Sequence, residues 1–367
     1  MRKLRGKRKG LLSQGYLWIV MAIFLFFIRF WVKGSPDLLE KIYPLALNQK
    51  ITGFLSQVTG IVPISLGELF VYLNLILALV FVIFLGVKIF QGGVGRHIYR
   101  GITYVSLLFV IFMVVFGFNY ERVSVREAFK LVRTNYGVEE LYQLNEALIT
   151  QANALRQQVT EDGKGVFSLE DSNQAVFLSS QEAFVKLQED YPKFKGTYGQ
   201  AKPILASELL NYTGITGIFM PFTGEANVNT KGPDLFFPST ILHEMAHQRG
   251  VAYEGEANYV SYVASLYHED PVFKYSGTML GLIKTMNAMY GEDIERYREL
   301  RSRYSEGLNR DLKAYGEFYK QYEGPVNEQA TKVNDTYLKS NGQAQGVKSY
   351  NEMVDLLLEQ FIQKGKL

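Results

Sequence analysis

His243 and His247 stand four residues apart in "STILHEMAHQRG", and Glu244 directly follows the first of them. Pro238, Ser239 and Thr240 ahead of them are residues that start helices. On a helix, a spacing of four puts both imidazoles on one face. Neutral imidazoles so placed can both reach one metal ion, and a carboxylate one position on can be aimed at a water held there; the pattern is His-Glu-x-x-His. Leu242, Met245 and Ala246 give the same helix an apolar side to bury. Histidine is otherwise scarce, with four in 367 residues. An ordinary polar helix with solvent-facing histidines explains the spacing but not the residues after it.

A catalytic zinc ion needs a third protein ligand and keeps a fourth position for water. Gly250 can end the helix in a left-handed cap and turn the chain. The short-loop pattern HExxHxxGxxH would then put the third ligand at 253, which is Tyr253, so that pattern fails. Beyond it, "YEGEANYVSYVASLY" has helical character. Glu254 is the first choice for the third ligand and Glu256 its rival. Asn258 lies one turn beyond Glu254 on the same face. Glu254 and Asn258 are similar to the Glu-x-x-x-Asp arrangement of gluzincin peptidases, in which the Glu binds zinc and the Asp orients a ligand histidine. Asn in place of Asp accepts the same hydrogen bond without adding charge. His268 and Tyr259 are candidate donors to an oxyanion, with Tyr253, Tyr262 and Tyr267 equally open. His97 reads as a solvated residue.

The elements that must position these residues are set by hydropathy. Apolar runs at 15–32, 69–90 and 102–120 each approach the roughly 20 residues a bilayer-spanning helix needs. The first is too long for the apolar part of a signal peptide, and further spans come after it. Arg29, near its outer end, is placed to snorkel to the headgroups. "MRKLRGKRKG" opens the chain with six basic residues, and "QGGVGRHIYRG" between the second and third runs carries Arg96 and Arg100 without an acid. Both therefore face the cytoplasm. The mixed-charge loop 33–65 lies outside, and three spans leave everything after about residue 120 outside too. The lipid bilayer is one partner. A net charge of +3 gives no argument for nucleic acid, and the absence of cysteine excludes disulfides and thiolate metal sites. A cysteine-free chain is compatible with an extracytoplasmic position.

Residues 121–367 read as a second domain. "SVREAFKLVRTNYGVEELYQLNEALITQANALRQQVT" is amphipathic helix with a break near Gly137, and "EDGKG" at 161–165 is a turn. "SSQEAFVKLQEDYPKF" is a further helix, as are 278–290, 292–320 and 349–363; 337–350 is a loop. Residues 213–230, "TGITGIFMPFTGEANVNT", are β-branched, aromatic and glycine-rich, which predicts short strands. An edge strand beside the histidine helix would let a peptide substrate add as another strand. Glu225, Asn227 and Asn229 are candidates to line that cleft.

The three spans, "TGEANVN" and "HEMAHQRG" joined to "EGEAN" resemble an uncharacterised bacterial family of membrane-anchored zinc metallopeptidases, domain of unknown function 3810. The resemblance implies a mainly α chain: three N-terminal membrane helices (residues 1–120), then a zincin-like α+β domain with a small sheet. It also implies one zinc ion on His243, His247 and a glutamate of "EGEAN". It implies no particular substrate. The expected activity is peptide hydrolysis outside the cytoplasm, with Glu244 as general base and a peptide or protein as the second partner. The rivals are a non-catalytic zinc sensor or scaffold and a cell-wall peptide amidase. Manganese or cobalt would suit the same ligands.

Overall fold

The computed structural model describes residues 2–169, 173–341 and 352–365, with residues 2–14 as backbone only. Three of its helices are long and apolar enough to cross a bilayer: α1 (Arg2–Val32), through its part at 15–32, α4 (Leu66–Gln91) and α5 (Val94–Val115). The first two match expectation to within a few residues. The third runs from 94 to 115 rather than from 102 to 120. Gly92 and Gly93, both at positive φ, make the entire turn after α4, and nothing from Val94 onward opposes helix, so Arg96, His97 and Arg100 are helical. At the other end, Tyr43 Oη donates to Val114 O at 2.7 Å, and Asn48 Nδ2 donates to Val115 O at 2.9 Å. These side chains take carbonyls that a continuing helix would otherwise need. Gly117–Glu121 form a 3-10 turn beyond it, with Phe118, Asn119 and Tyr120 buried. Arg29 turns inward, not to the headgroups: its Nε lies 2.9 Å from Glu121 Oε1.

The connection between the first two spans, expected as a loop, holds α2 (Pro36–Ile42) and α3 (Leu45–Gly60). The buried face of α3 is polar and small: Asn48, Thr52, Gly53 and Ser56. It packs tightly against the chain beyond the third span. A Cβ on Gly53 would stand 2.8 Å from Thr197 O, and one on Gly224 would stand 2.8 Å from Thr52 O. Gly224 also sits at φ +68°, so glycine is needed there on both counts. Residues before 120 are thus part of the body that carries the histidine helix.

That body is mainly helical. After α6 (Val125–Ala128) come α7 (Val138–Arg156), α8 (Asn173–Ser179), α9 (Gln181–Asp190) and α10 (Ser207–Asn211). α11 (Phe237–Gln248), α12 (Glu254–Tyr267) and α13 (Pro271–Glu292) form its centre. α14 (Ile294–Ser302), α15 (Glu306–Lys320), α16 (Pro325–Ser340) and α17 (Glu352–Lys364) complete it. The helix expected over 292–320 is two helices, because Ser305 accepts from Leu308 N and starts α15 afresh. Residues 337–340, expected as loop, close α16; 342–350 lie outside the described residues. Ile241, Leu242, Met245 and Ala246 of α11 are buried against Ala257, Val260 and Ala264 of α12 in the main core.

The sheet is small: β1 (Lys202–Pro203), β2 (Gly217–Met220) and β3 (Glu225–Val228), in the order β1-β3-β2. β3 lies between a parallel β1 and an antiparallel β2. β2 is therefore an edge strand, and it packs on α11.

Candidate metal centre

Pro238 stands in the first turn of α11, where its missing N–H costs nothing. The helix ends at Gln248, and the turn after it passes through Gly250, φ +89°, whose N–H reaches His247 O. After three further residues the chain starts α12 at Glu254. This turn brings the glutamate to the face that carries both histidines. His243 Nε2 lies 3.1 Å from Glu254 Oε2, His247 Nε2 lies 3.6 Å from Glu254 Oε1, and the two Nε2 atoms are 3.0 Å apart. Three ligand atoms, one from each residue, lie within 4.8 Å of one another. Two ligands about 2.0–2.1 Å from one tetrahedral ion stand about 3.3 Å apart; the two imidazole nitrogens are near that spacing, and each also faces a different oxygen of Glu254. His247 Nδ1 is 2.7 Å from Val251 O. A carbonyl only accepts, so Nδ1 carries a proton, and it is Nε2 that would give up its own proton to offer a lone pair to a metal.

The electrostatics of the cluster are those of a carboxylate held between two imidazoles. Burial works against charge on Glu254, yet the two histidines beside it hold its carboxyl far below the usual range. Burial likewise opposes protonation of His247, but Glu254 outweighs it and raises the pKa to about 9. Burial pushes the Glu244 carboxyl up. Glu244 lies over the edge strand: a Cβ on Gly217 would meet its Oε1 at 2.5 Å. Thr216 O accepts from Asn229 N, so Thr216, Ile218 and Met220 turn their backbone groups to β3. Gly217 and Phe219 turn theirs to the open edge.

The cluster opens into a cleft of about 790 Å³ whose walls include Phe116, Gly217, Phe222, Lys284, Tyr315 and Tyr337. The ligand side chains of His243, His247 and Glu254 remain 13%, 7% and 20% exposed, which leaves room for a further ligand from solvent. Asn258 lines the cleft, but the hydrogen bond that orients His247 comes from Val251, not from Asn258. Glu256 is not in the cluster: it is buried, accepts from Val125 N at 3.1 Å, and faces Lys193.

Several other expected site residues lie elsewhere. Glu225, Asn227 and Asn229 belong to the central strand and the residue after it, not to the edge, and all three are buried. Glu225 pairs with Lys202 Nζ at 2.5 Å and accepts from Gly67 N at the start of α4. Asn227 Nδ2 donates to Glu225 O at 3.2 Å, and Asn229 Nδ2 to Asn211 Oδ1 at 2.8 Å. His268 stacks on Phe273 and donates to Ser179 O at 3.1 Å. Tyr259 is fully buried and donates to Gln360 Oε1. Tyr253 donates to Tyr120 O, Tyr267 donates to Asp190, and Tyr262 sits in the core. Donors that do line the cleft include Tyr120, Lys284, Tyr315 and Tyr337. Tyr120 and Tyr337 have their hydroxyls 3.1 Å apart, and burial lowers the Lys284 pKa while Glu254 counters it. These residues lie far from the histidine motif in sequence, and no spacing rule points to them.

A family model described as a protein of unknown function, DUF3810, matches residues 43–358. No curated protein and no solved structure matches the chain.

Proposed function

We propose that this chain, which belongs to the DUF3810 family, is a membrane-tethered metallopeptidase that hydrolyses peptide bonds outside the cytoplasm. The observation that carries the reading is the convergence of His243, His247 and Glu254 in an open cleft, with Glu244 beside them over an edge strand. Two imidazoles and a carboxylate are the donor set of a catalytic zinc site, and zinc held by these three residues would act as a Lewis acid on the scissile carbonyl and on water. The helix with both histidines, the edge strand beside it and the next helix with its glutamate make a zincin-like arrangement.

The chain's own groups then have definite tasks. An extended substrate adds antiparallel or parallel to β2 through the backbone of Gly217 and the carbonyl of Phe219, whose N–H is turned to Glu244. Glu244 takes a proton from water as its oxygen bonds to the peptide carbon, then gives that proton to the nitrogen as the C–N bond breaks. Lys284 and Tyr337, rather than His268 and Tyr259, are the cleft donors suited to the oxyanion. A non-catalytic zinc scaffold would close its ion with a fourth protein ligand. Among the described residues the cluster has three.

The test uses the full chain in detergent, with metal content and hydrolysis of a peptide library as readouts. Wild type should carry about one zinc per chain, as one such ligand set holds one ion, and His247→Ala should lose it. Glu244→Gln should keep zinc and lose at least about 100-fold in hydrolysis, the low end for general-base catalysis. Full activity in Glu244→Gln, or a folded wild type that takes up no metal, would reject the reading.

A further inference from the structure

We infer that the polypeptide cut at this site is itself anchored in the bilayer, and that it is cut in the stretch just after it leaves the membrane. This deepens the metallopeptidase reading and rests on it. The first observation is that the cleft is built on the outer ends of the spans. Phe112 belongs to α5 and Phe116 comes directly after that helix; both line the cleft. The Phe116 ring is 5.2 Å from Phe219 of the edge strand and 6.2 Å from the His247 ring. A metal-ligand histidine therefore touches the residue that ends a membrane-crossing helix.

The second observation concerns the far end of the same strand. β2 runs into the turn at 221–224, where Phe222, also a cleft residue, stacks at 4.8 Å on Phe70, about one turn into α4. Just before the turn, Met220 packs so closely that a Cβ on Gly67 would meet it at 2.6 Å. A strand paired with β2 is thus led to the place where α4 and α5 leave the apolar layer.

The third observation locates the lipid surface. α3 buries its polar face on the sheet and turns Phe54, Val58 and Ile61 outward, 67%, 49% and 81% exposed. Spaced four and three apart, they make one apolar stripe. Exposed to water it would be unfavourable, but α3 connects two spans, so the bilayer interface is at hand to cover it. Leu205 and Leu209 are exposed as well, and Leu205 is held beside α4 by its N–H bond to Glu68 at 2.7 Å. One helix diameter, about 10–12 Å, then separates lipid from sheet. An extended chain rising about 3.3 Å per residue crosses that distance in about three to four residues.

The experiment places the full chain in phosphatidylethanolamine–phosphatidylglycerol vesicles with a degenerate peptide library, either free or fused to an apolar anchor of about 20 residues. A third form inserts a Gly-Ser spacer of about ten residues between anchor and library. The anchored library should be cut at least about 10-fold faster than the free one. Cut positions, read by mass spectrometry, should stay within about ten residues of the anchor and fall in the spacer when it is present. Equal rates for free and anchored libraries, or cuts that follow the library past the spacer, would overturn this inference and leave the metallopeptidase reading standing. A zinc-loaded protein that cuts neither library would overturn both. Independently of activity, Phe54→Trp in a chain whose two tryptophans are replaced by Phe should be quenched by brominated lipids. An unquenched tryptophan would overturn the lipid placement.

Discussion

Gly217 shows what one residue does for this site without touching substrate chemistry. Its missing side chain is the space that the Glu244 carboxyl occupies, and a Cβ there would approach that carboxyl to between 2.5 and 2.9 Å. Gly217→Ala should push Glu244 off its place while leaving His243, His247 and Glu254 as they are. A displacement near 1 Å costs about 100-fold in rate, so kcat/KM should fall by that order with zinc content unchanged. Undiminished hydrolysis in this variant would show that Glu244 does not act from the position it holds here. His243, Glu244 and His247 were legible in the sequence because a spacing of four on a helix leaves no freedom of direction. Glu254 was legible only as one of two, since the turn at Gly250 decides which glutamate of "EGEAN" swings toward α11. Gln248 and Arg249 of the same motif prove to be structural. Gln248 Nε2 donates to Gly224 O at 2.8 Å, and the Arg249 guanidinium lies 3.9 Å from the centre of the Phe184 ring and 4.5 Å from that of Tyr198. Neither tie could be read from composition, because its partners lie distant in the chain.

The same contrast holds for elements. Short strands within 213–230 and the helices α13, α15 and α17 follow from β-branched clusters and 3.6-residue periodicity. α3 does not, because its face is inverted: Asn48, Thr52 and Ser56 point into protein and Phe54 and Val58 point out, the opposite of the pattern that marks a helix in water. Glu225 was misread for a related reason. As a carboxylate in a strand near the site it suggests substrate contact, yet it joins the sheet to the membrane. It accepts Gly67 N at 2.5 Å and Leu66 N at 3.3 Å at the positive end of α4, and pairs with Lys202, which also donates to Thr59 O and Ile64 O. Glu68 returns the arrangement by accepting the N–H groups of Leu205 and Ala206. Removing one partner of a buried pair leaves a charge uncompensated and costs about 3–5 kcal/mol, whereas replacing both with apolar residues is nearly neutral. Glu225→Ala should therefore lower the melting temperature of the detergent-solubilised chain markedly, and Glu225→Leu combined with Lys202→Met should recover only part of the loss, because the backbone groups of Leu66, Gly67, Thr59 and Ile64 lose their partners. If the single variant melts like wild type, the joint between sheet and α4 contributes little to stability.

At the scale of the whole molecule, the side of the membrane on which the cleft stands follows from charge and span count together. The six basic residues before the first span and Arg96 and Arg100 after the second lie at one end of the three apolar helices. The cleft is built at the other end, from Phe116, Phe222 and the helices beyond them. Basic residues close to span ends stay on the cytoplasmic side; on the topology proposed above the cleft faces outward, and a substrate would have to be exposed there. The chain has no cysteine, so single cysteines report position against a silent background. Gly95 and Gly291 are suited to carry them, since each is exposed, lacks a positive φ, and has nothing within 4 Å of an added Cβ. In intact cells a membrane-impermeant maleimide should label Gly291→Cys, and should label Gly95→Cys only after permeabilisation. The reverse pattern would turn the cleft to the cytoplasm. The positive-inside reading would then fail while the proposed metal centre stood, because nothing in the approach of His243, His247 and Glu254 depends on which compartment they face.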